Sequence, residues 1–257
     1  MSPQPTNRER KEAARQERLK AEQADSSRAA RNRRLAILGG VLAAVLAVIA
    51  LIVVATGGGD SKDPPAEVQG VAATEKFVAG LKQNGNALGD PKAPVTLVEY
   101  VDLQCPICKE YSDQVMPQIV DNYVRDGKIR LEQQVVAILG PDSEKAQGYA
   151  ATMVAQNALW SYTHLFFENQ GEENSGYVTD EFLSKIAAAT PGADAAMADA
   201  AVGGAAATKI VNTADSAQVN STPTFKIGTT GGAMTEIDIT QGPQAIADAI
   251  DAKLNED

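Results

Sequence analysis

The sequence is poor in the residues that most often carry metal or hydrolytic chemistry. Its 257 residues include only two cysteines and one histidine, His164. A zinc site takes about four ligands, which the cysteines and histidine of this chain cannot supply. A cysteine protease would need His164 as its base, but that histidine stands inside an aromatic run at residues 160–167 (WSYTHLFF), where a packing role fits better. We therefore expect neither a metal nor a bound cofactor.

The two cysteines stand two residues apart, in Cys105-Pro106-Ile107-Cys108. Residues i and i+3 of a helix share one face, so thiols at this spacing can close a small disulfide ring with little backbone movement. Proline is favoured in the first turn of a helix, which places Cys105 at the helix start. Free backbone N–H groups and the positive end of the helix dipole stabilise a thiolate there. The motif predicts a redox pair in which Cys105 has a lowered pKa and Cys108 is the more buried, resolving thiol.

A long hydrophobic run lies near the N-terminus. Residues 35–55 are uncharged and mostly aliphatic, and as a helix they would be about 32 Å long, which matches the hydrocarbon core of a bilayer. Seven of the 20 residues before this run are Lys or Arg, whereas residues 56–75 contain only Lys62. The positive-inside rule then predicts a single-pass cell-membrane protein with a cytoplasmic N-terminus. A cleaved signal peptide ending near Ala55 is the alternative, which the long apolar core and the polar leader disfavour.

Charge is distributed unequally along the chain. Residues 1–34 contain ten Lys/Arg and five Asp/Glu, so the remaining residues contain 23 − 10 = 13 and 33 − 5 = 28, a net charge of −15. An acidic domain disfavours a phosphate-backbone partner, so we expect no nucleic acid. The predicted organisation is a basic cytoplasmic leader at 1–34, a transmembrane helix at 35–55, a linker at 56–69 and an extracytoplasmic domain at 70–257.

The residue pattern of this domain predicts alternating strands and helices. The predicted elements are a helix at 74–83, a turn at 84–86, a strand at 95–101, a helix at 105–124 divided near Pro117, a strand at 128–138, a helical block at 143–217, strands at 222–227 and 234–239 around a Gly231-Gly232 turn, and a helix at 243–254. Strands and helices in this order predict an α/β fold with a helical insertion.

Three stretches resemble the DsbA-like thiol-disulfide oxidoreductases of the thioredoxin fold. They are residues 98–108 (VEYVDLQCPIC), residues 221–225 (STPTF) and residues 166–170 (FFENQ) within the helical block. A CxxC motif alone is only moderately specific, but a Thr-Pro pair at a strand start more than a hundred residues later makes the combination stronger. The resemblance covers roughly residues 85–254 and implies a membrane-anchored bacterial protein of thioredoxin fold with an inserted helical domain.

The resemblance assigns a role to the Thr222-Pro223 pair. The Pro223 peptide bond is expected to be cis and to lie against the CxxC motif. Proline has no N–H, so the backbone of Thr222 is left open to pair with an extended substrate segment beside Cys105. The alternative is an ordinary trans proline at the start of an edge strand.

The resemblance also indicates a buried acid at Glu99, six residues before Cys105. Strand alternation places Glu99 on an apolar face, where desolvation should raise its pKa and let it relay a proton to or from Cys108. The alternative is a strand-end glutamate that reaches solvent. The residue after Pro106 is isoleucine rather than the histidine of some relatives, so no imidazolium stabilises the Cys105 thiolate there.

The implied function is oxidation of cysteine pairs in exported proteins by disulfide exchange at Cys105 and Cys108. The implied partners are exported proteins with free cysteines and a membrane redox partner, a quinone-linked reoxidant by family analogy, and the chain is expected to be a monomer. One alternative is an exported reductase, for example for haem-attachment cysteines, fed by a transmembrane electron donor. Another is a non-catalytic thioredoxin-like module that binds clients and whose disulfide is merely structural, although so short a loop removes little chain entropy.

Overall fold

The structure, a computed structural model, describes residues 67–204, residue 207 and residues 219–256. The leader, the membrane helix and most of the linker predicted from the sequence lie outside these residues. Within the described ranges, no helix is long and apolar enough to cross a membrane.

Strands of the described residues form a mixed sheet in the order β1-β2-β4-β3-β5-β6. The strands are β1 (Gln83–Asn84), β2 (Ala87–Leu88), β3 (Val95–Val101), β4 (Ile129–Val135), β5 (Thr224–Thr229) and β6 (Thr235–Glu236). The central strand β3 is parallel to β4 and antiparallel to β5, and the remaining neighbours are antiparallel. A parallel pair needs a crossover connection, which the helices after β3 provide.

Strand β3 has the bounds that the sequence predicted. Six of its seven residues are buried, whereas β4 alternates between buried and partly buried positions. Branched and apolar side chains suit a strand that is covered on both faces. The motif Cys105–Cys108 follows directly, so β3 delivers the cysteines to the end of the sheet.

The helix predicted at 105–124 is divided, as expected, but the division comes at Val115. The segments are α2 (Pro106–Gln114), α3 (Met116–Ile119) and a π-helical turn at Val120–Val124. Pro117 lies in the first turn of α3. A missing N–H is tolerated there because it would have had no partner within the helix.

The predicted helical block lies between β4 and β5. Its described helices are α4 (Pro141–Ala155), α5 (Leu159–Glu168), α6 (Asp180–Ala189) and α7 (Ala195–Ala201). The breaks predicted at 171–176 and 190–192 fall between helices, as expected. The fold is therefore a mixed α/β fold of thioredoxin type with inserted helices. Most of 205–217 lies outside the described part of the chain.

The prediction at the start of the domain was wrong in its bounds. Helix α1 spans Val71–Val78 rather than 74–83 and starts after Gly70, whose φ is 82°. Residues predicted as the end of this helix and as a turn instead form the hairpin of β1 and β2. This hairpin is held in the sheet by the pairing of β2 with β4. Local helix propensity does not include such tertiary pairing.

The strand predicted at 234–239 was also too long. Strand β6 covers only Thr235–Glu236, and a 3₁₀ turn follows at Ile239–Gln241. The side chain of Asp238 accepts a hydrogen bond from the Thr240 N–H, 2.9 Å away. This local bond competes with the strand ladder and ends it. The final helix, α8, spans Gln244–Leu254, close to the prediction.

Buried apolar residues form two clusters. One contains the N-terminal half of β3 with α3 and α8. The other contains most of the insertion and also the end of β3, Cys105 and Cys108. The cysteines therefore lie where the inserted helices meet the sheet.

Candidate active site

Cys105 is the N-cap residue of α2, and Pro106 follows it in the first turn. The N–H of Cys108 donates to the Cys105 Sγ over 3.4 Å. Both cysteines are free thiols, and Cys105 is 6% exposed whereas Cys108 is 0% exposed. The expected placement at a helix start and the expected order of burial are both found.

Hydrogen bonds to the sulfur lower the pKa of Cys105 to about 6. The largest contribution is a bond from the Cys108 thiol, and the Cys108 N–H, the Thr222 side chain and the Ile107 backbone add to it against the opposing effect of burial. Burial raises the pKa of Cys108 well above its usual range, and the neighbouring Cys105 sulfur raises it further. At neutral pH the pair is therefore a thiolate at Cys105 and a thiol at Cys108.

The loop before β5 lies against Cys105. The Thr222–Pro223 peptide bond is cis, and the Cys105 Sγ is 3.4 Å from the carbonyl oxygen of Thr222. Pro223 is buried and Thr222 is partly buried. Two segments more than a hundred residues apart in sequence thus meet at one sulfur, in the arrangement that the resemblance implied.

Glu99 is buried beneath this end of β3. It is 2% exposed, and burial raises its pKa to about 7 although a hydrogen bond from Gln133 opposes the shift. Gln133 donates from Nε2 to the Glu99 Oε2 over 3.1 Å. The hydrogen bond found for Glu99 is thus with Gln133, whereas those of the Cys105 sulfur are with Cys108 and Thr222.

Sequence reasoning missed the polar residues that hold the loop in front of Cys105. Gln170, after α5, donates from Nε2 to the carbonyl oxygens of Leu103 (2.8 Å) and Cys105 (3.2 Å). Gln104 is 1% exposed, and its Oε1 accepts from the Asn174 N–H over 2.8 Å. The available signal was the presence of polar residues at a buried strand-to-helix junction.

Asp102, in the same loop, was also missed. It is fully buried and stands three residues before Cys105. Aspartate at such a position often accepts a hydrogen bond from the backbone two residues later, which is a signal that the sequence did contain.

His164 is a packed side chain of α5. Its Nδ1 is 2.9 Å from the hydroxyl of Thr74, and its ring stacks on Phe77 with centroids 4.6 Å apart. Burial lowers its pKa to about 4, so the ring is neutral at physiological pH. Among the described residues, no group of three or more His, Cys, Asp or Glu is placed to hold a metal ion.

Comparison with known proteins gives a family and several relatives. The family model described as Thioredoxin matches residues 82–251. "Probable disulfide bond formation protein D" of Bacillus anthracis is 30% identical over 114 residues, which are 44% of this chain and 51% of that protein. "Disulfide bond formation protein D" of Bacillus subtilis is 28% identical over 105 residues, which are 40% and 47%. The chain thus spans about half the length of these relatives.

Solved structures share the fold. The crystal structure of oxidised BdbD from Bacillus subtilis has a TM-score of 0.60 at 21% identity, covering 66% of this chain and 93% of that chain. The reduced form of DsbG, a disulfide bond oxidoreductase from Mycobacterium tuberculosis, has a TM-score of 0.53 at 20% identity, covering 70% and 92%.

The fold and the site define a thioredoxin-fold protein with inserted helices and a CxxC dithiol at a helix N-terminus. The family match includes both the dithiol and the Thr222–Pro223 loop. The chain belongs to the thioredoxin family, and its similarity to disulfide bond formation protein D and to BdbD agrees with the DsbA-like resemblance inferred from the sequence.

Proposed function

We propose that this chain is an extracytoplasmic thiol-disulfide oxidoreductase that oxidises cysteine pairs in exported proteins. The observation that carries the proposal is the asymmetry of the two thiols. The pKa of Cys105 is lowered to about 6, whereas that of Cys108 is raised well above its usual range. A disulfide whose reduced form is stabilised in this way is a stronger oxidant. The similarity to the Bacillus proteins named disulfide bond formation protein D supports the same activity.

In the first step, a client thiolate attacks the Cys105 Sγ of the oxidised pair. The Cys105–Cys108 bond breaks, a client–Cys105 disulfide forms, and Cys108 leaves as a thiolate. Because burial raises the pKa of Cys108, this thiolate takes up a proton. Attack falls on Cys105 because Cys108 has no exposed surface.

In the second step, the second thiolate of the client attacks the client's own sulfur in the mixed disulfide. The bond to Cys105 breaks, the client disulfide forms, and Cys105 leaves as a thiolate. A thiol of lower pKa is a better leaving group, so the lowered pKa of Cys105 favours release of the oxidised client. The client has lost two electrons and the dithiol has gained them.

The proposed roles of Thr222, Pro223 and Glu99 follow from where they lie. The Thr222 backbone is next to the Cys105 sulfur, so an extended client segment can pair with this backbone while the client cysteine reacts. Pro223 has no N–H, which leaves the Thr222 backbone open for this pairing. Glu99 has a pKa of about 7, which suits a group that gives and takes protons near neutral pH. We assign it the proton relay to Cys108.

The proposed location rests on the sequence. The domain at 70–257 would lie on the extracytoplasmic side of the membrane. It would be joined by a linker at 56–69 to a membrane helix at 35–55, with the basic leader at 1–34 in the cytoplasm. Exported proteins with free cysteines are then the substrates. A quinone-linked membrane partner reoxidises the dithiol, and the chain acts as a monomer.

A trapping experiment tests the exchange step. Cys108→Ala in the full-length chain leaves Cys105 as a single thiolate, which can attack a client disulfide, form a client–Cys105 disulfide and release one client thiolate. Because Cys108 can no longer break this mixed disulfide, exported clients should accumulate on Cys105. The adducts would be seen on non-reducing gels, identified by mass spectrometry, and lost on reduction. The matched control is Cys108→Ala combined with Cys105→Ala. Clients that copurify equally with both variants, without covalent adducts, would identify a binding module instead.

The direction of electron flow is tested by the reduction potential. The full-length chain is equilibrated with glutathione buffers and the dithiol fraction is measured. A potential near or above about −180 mV marks an oxidant. A potential near or below about −270 mV would identify a reductase or a structural disulfide and overturn the oxidase.

A further inference from the structure

Asp102 forms the turn that connects β3 to the helix of the cysteines. Its Oδ1 accepts from the Gln104 N–H over 2.9 Å, and its carbonyl oxygen accepts from the Cys105 N–H over 3.0 Å. The first bond is an Asx turn and the second is a β-turn. The position of Cys105 relative to the strand is therefore set by two bonds to one residue.

The same carboxylate binds two segments that are distant in sequence. Its Oδ2 accepts from the N–H groups of Ile138 (2.9 Å) and Leu139 (3.1 Å), after β4. Its Oδ1 also accepts from the hydroxyl of Ser143, over 2.8 Å, in the first turn of α4. Asp102 is 0% exposed. Four donors satisfy this buried carboxylate. Replacing it by a group without two acceptor oxygens would leave buried donors unpaired and lower the stability of the protein.

Asp102 also affects the second sulfur. Its backbone is hydrogen-bonded to the Cys108 sulfur and opposes the rise in the pKa of that thiol. One residue therefore contacts the resolving thiol through its backbone, fixes the nucleophile through the turn, and joins both to the inserted helices through Ser143.

We propose that Asp102 is a positioning residue for disulfide exchange, whose buried carboxylate holds the Cys105 sulfur in place against the Cys108 N–H and the Thr222 loop. The inference rests on the proposed function and adds to it a residue whose carboxylate bonds to neither sulfur and acts through the turn that it holds. If the turn relaxes, the Cys105 sulfur moves away from the Cys108 N–H whose hydrogen bond stabilises the thiolate, and its reactivity at neutral pH falls.

The test is Asp102→Asn in the full-length chain. Asparagine keeps one acceptor oxygen but turns an NH₂ group towards two of the four donors, so part of the network is lost. The chain offers a matched control in Asp90. Asp90, an exposed residue before β3, accepts the same pair of bonds: its Oδ1 accepts from the Lys92 N–H (2.9 Å) and its carbonyl oxygen accepts from the Ala93 N–H (3.0 Å).

The measurement is the thiol pKa of Cys105, from the pH dependence of its alkylation rate followed by mass spectrometry. Asp102→Asn should raise this pKa by about one unit, so that the thiolate fraction at pH 7 falls from about 90% to about 50%. Asp90→Asn should leave the pKa unchanged. A merely structural role of Asp102 would lower thermal stability without moving the thiol pKa.

Two outcomes overturn the inference. One is a folded Asp102→Asn protein, by circular dichroism, with the wild-type Cys105 pKa. If this variant does not fold, Ser143→Ala replaces it, because it removes only one hydrogen bond to the carboxylate; an unchanged Cys105 pKa there also overturns the inference. Failure of the proposed function is seen separately, as wild-type protein that does not exchange disulfides at all.

Discussion

Gln133 donates a hydrogen bond to Glu99 across the central pair of parallel strands, with 3.1 Å between Nε2 and Oε2. The two residues are partners in the β3–β4 register. Thr163, on α5, donates to the Gln133 Oε1 over 2.7 Å, which turns the NH₂ group of the amide towards Glu99. The buried carboxyl is thus held by a neutral amide, and its protonation depends on pH near neutrality.

Glu99→Gln should stabilise the protein at high pH. The pKa of Glu99 is raised from 4.5 to about 7 in the folded state, so its contribution to stability is present below pH 4.5 and is lost as the pH rises through 7. The difference in free energy of unfolding between the variant and wild type should rise in favour of the variant by up to about 3 kcal/mol from pH 4 to pH 8.5. Urea unfolding followed by the fluorescence of the buried Trp160 measures this. The exposed Glu75→Gln serves as control, and equal gains at both pH values would contradict the prediction.

His164→Gln should remove an acid-sensitive step in stability. Burial lowers the pKa of His164 from 6.5 to about 4, so the unfolded chain binds the proton first and stability falls as the pH drops from 6.5 to 4. Glutamine can keep the bond to Thr74 and does not titrate in this range. The advantage of wild type over the variant should shrink by about 3 kcal/mol between pH 7 and pH 4. Parallel stability curves over this range would show that the ring does not titrate as described.

Thr222→Val should destabilise the Cys105 thiolate and so raise the pKa of Cys105. The Thr222 side chain donates a hydrogen bond that lowers the pKa of Cys105, and valine removes the hydroxyl but keeps the branched shape. We expect the pKa of Cys105 to rise by about half a unit to one unit, measured by thiolate absorbance at 240 nm. Thr224→Val is the control, since that hydroxyl donates to the Ser221 carbonyl. Equal shifts in both variants would point to a general disturbance of the loop.

Two glycine substitutions should change stability in opposite directions. A Cβ at Gly228, in β5, would overlap the carbonyl oxygen of Ala233, so Gly228→Ala should destabilise the protein by about 2 kcal/mol. Gly148 lies within α4 and has open space around its Cβ position, so Gly148→Ala should stabilise it by about 0.5–1 kcal/mol. Thermal unfolding of both variants measures the two shifts. A neutral Gly228→Ala would mean that the β5–β6 turn moves aside.

Features governed by neighbouring residues could be predicted from the sequence. Cys105 begins a helix because Pro106 follows it, and β3 is a buried strand because its residues are branched and apolar. Burial of Glu99 was predicted from its place on an apolar face, and β3 is in fact buried at six of its seven positions. These features depend on sequence spacing of a few residues, where steric and hydrogen-bonding preferences are strong.

Features that need distant partners could not be predicted. Three of the four donors to the Asp102 carboxylate come 36 to 41 residues later, and the amide of Gln170 bonds to carbonyls 65 and 67 residues earlier. The hairpin of β1 and β2 depends on pairing with β4. Such contacts exist only once the fold has formed, so local propensity carries no record of them.

Because Cys108 is completely buried beside Cys105, its attack on Cys105 limits the lifetime of every mixed disulfide between a client and Cys105. Under the proposed function, a client joined to Cys105 meets two competing thiols, its own second cysteine and Cys108. A client whose second cysteine arrives quickly leaves oxidised, whereas a client with a single cysteine is returned unchanged when Cys108 closes the ring again. No outside thiol reaches Cys108, so the lifetime of the mixed disulfide depends on the rate at which Cys108 attacks Cys105. A short lifetime favours oxidation of clients whose paired cysteines are close together.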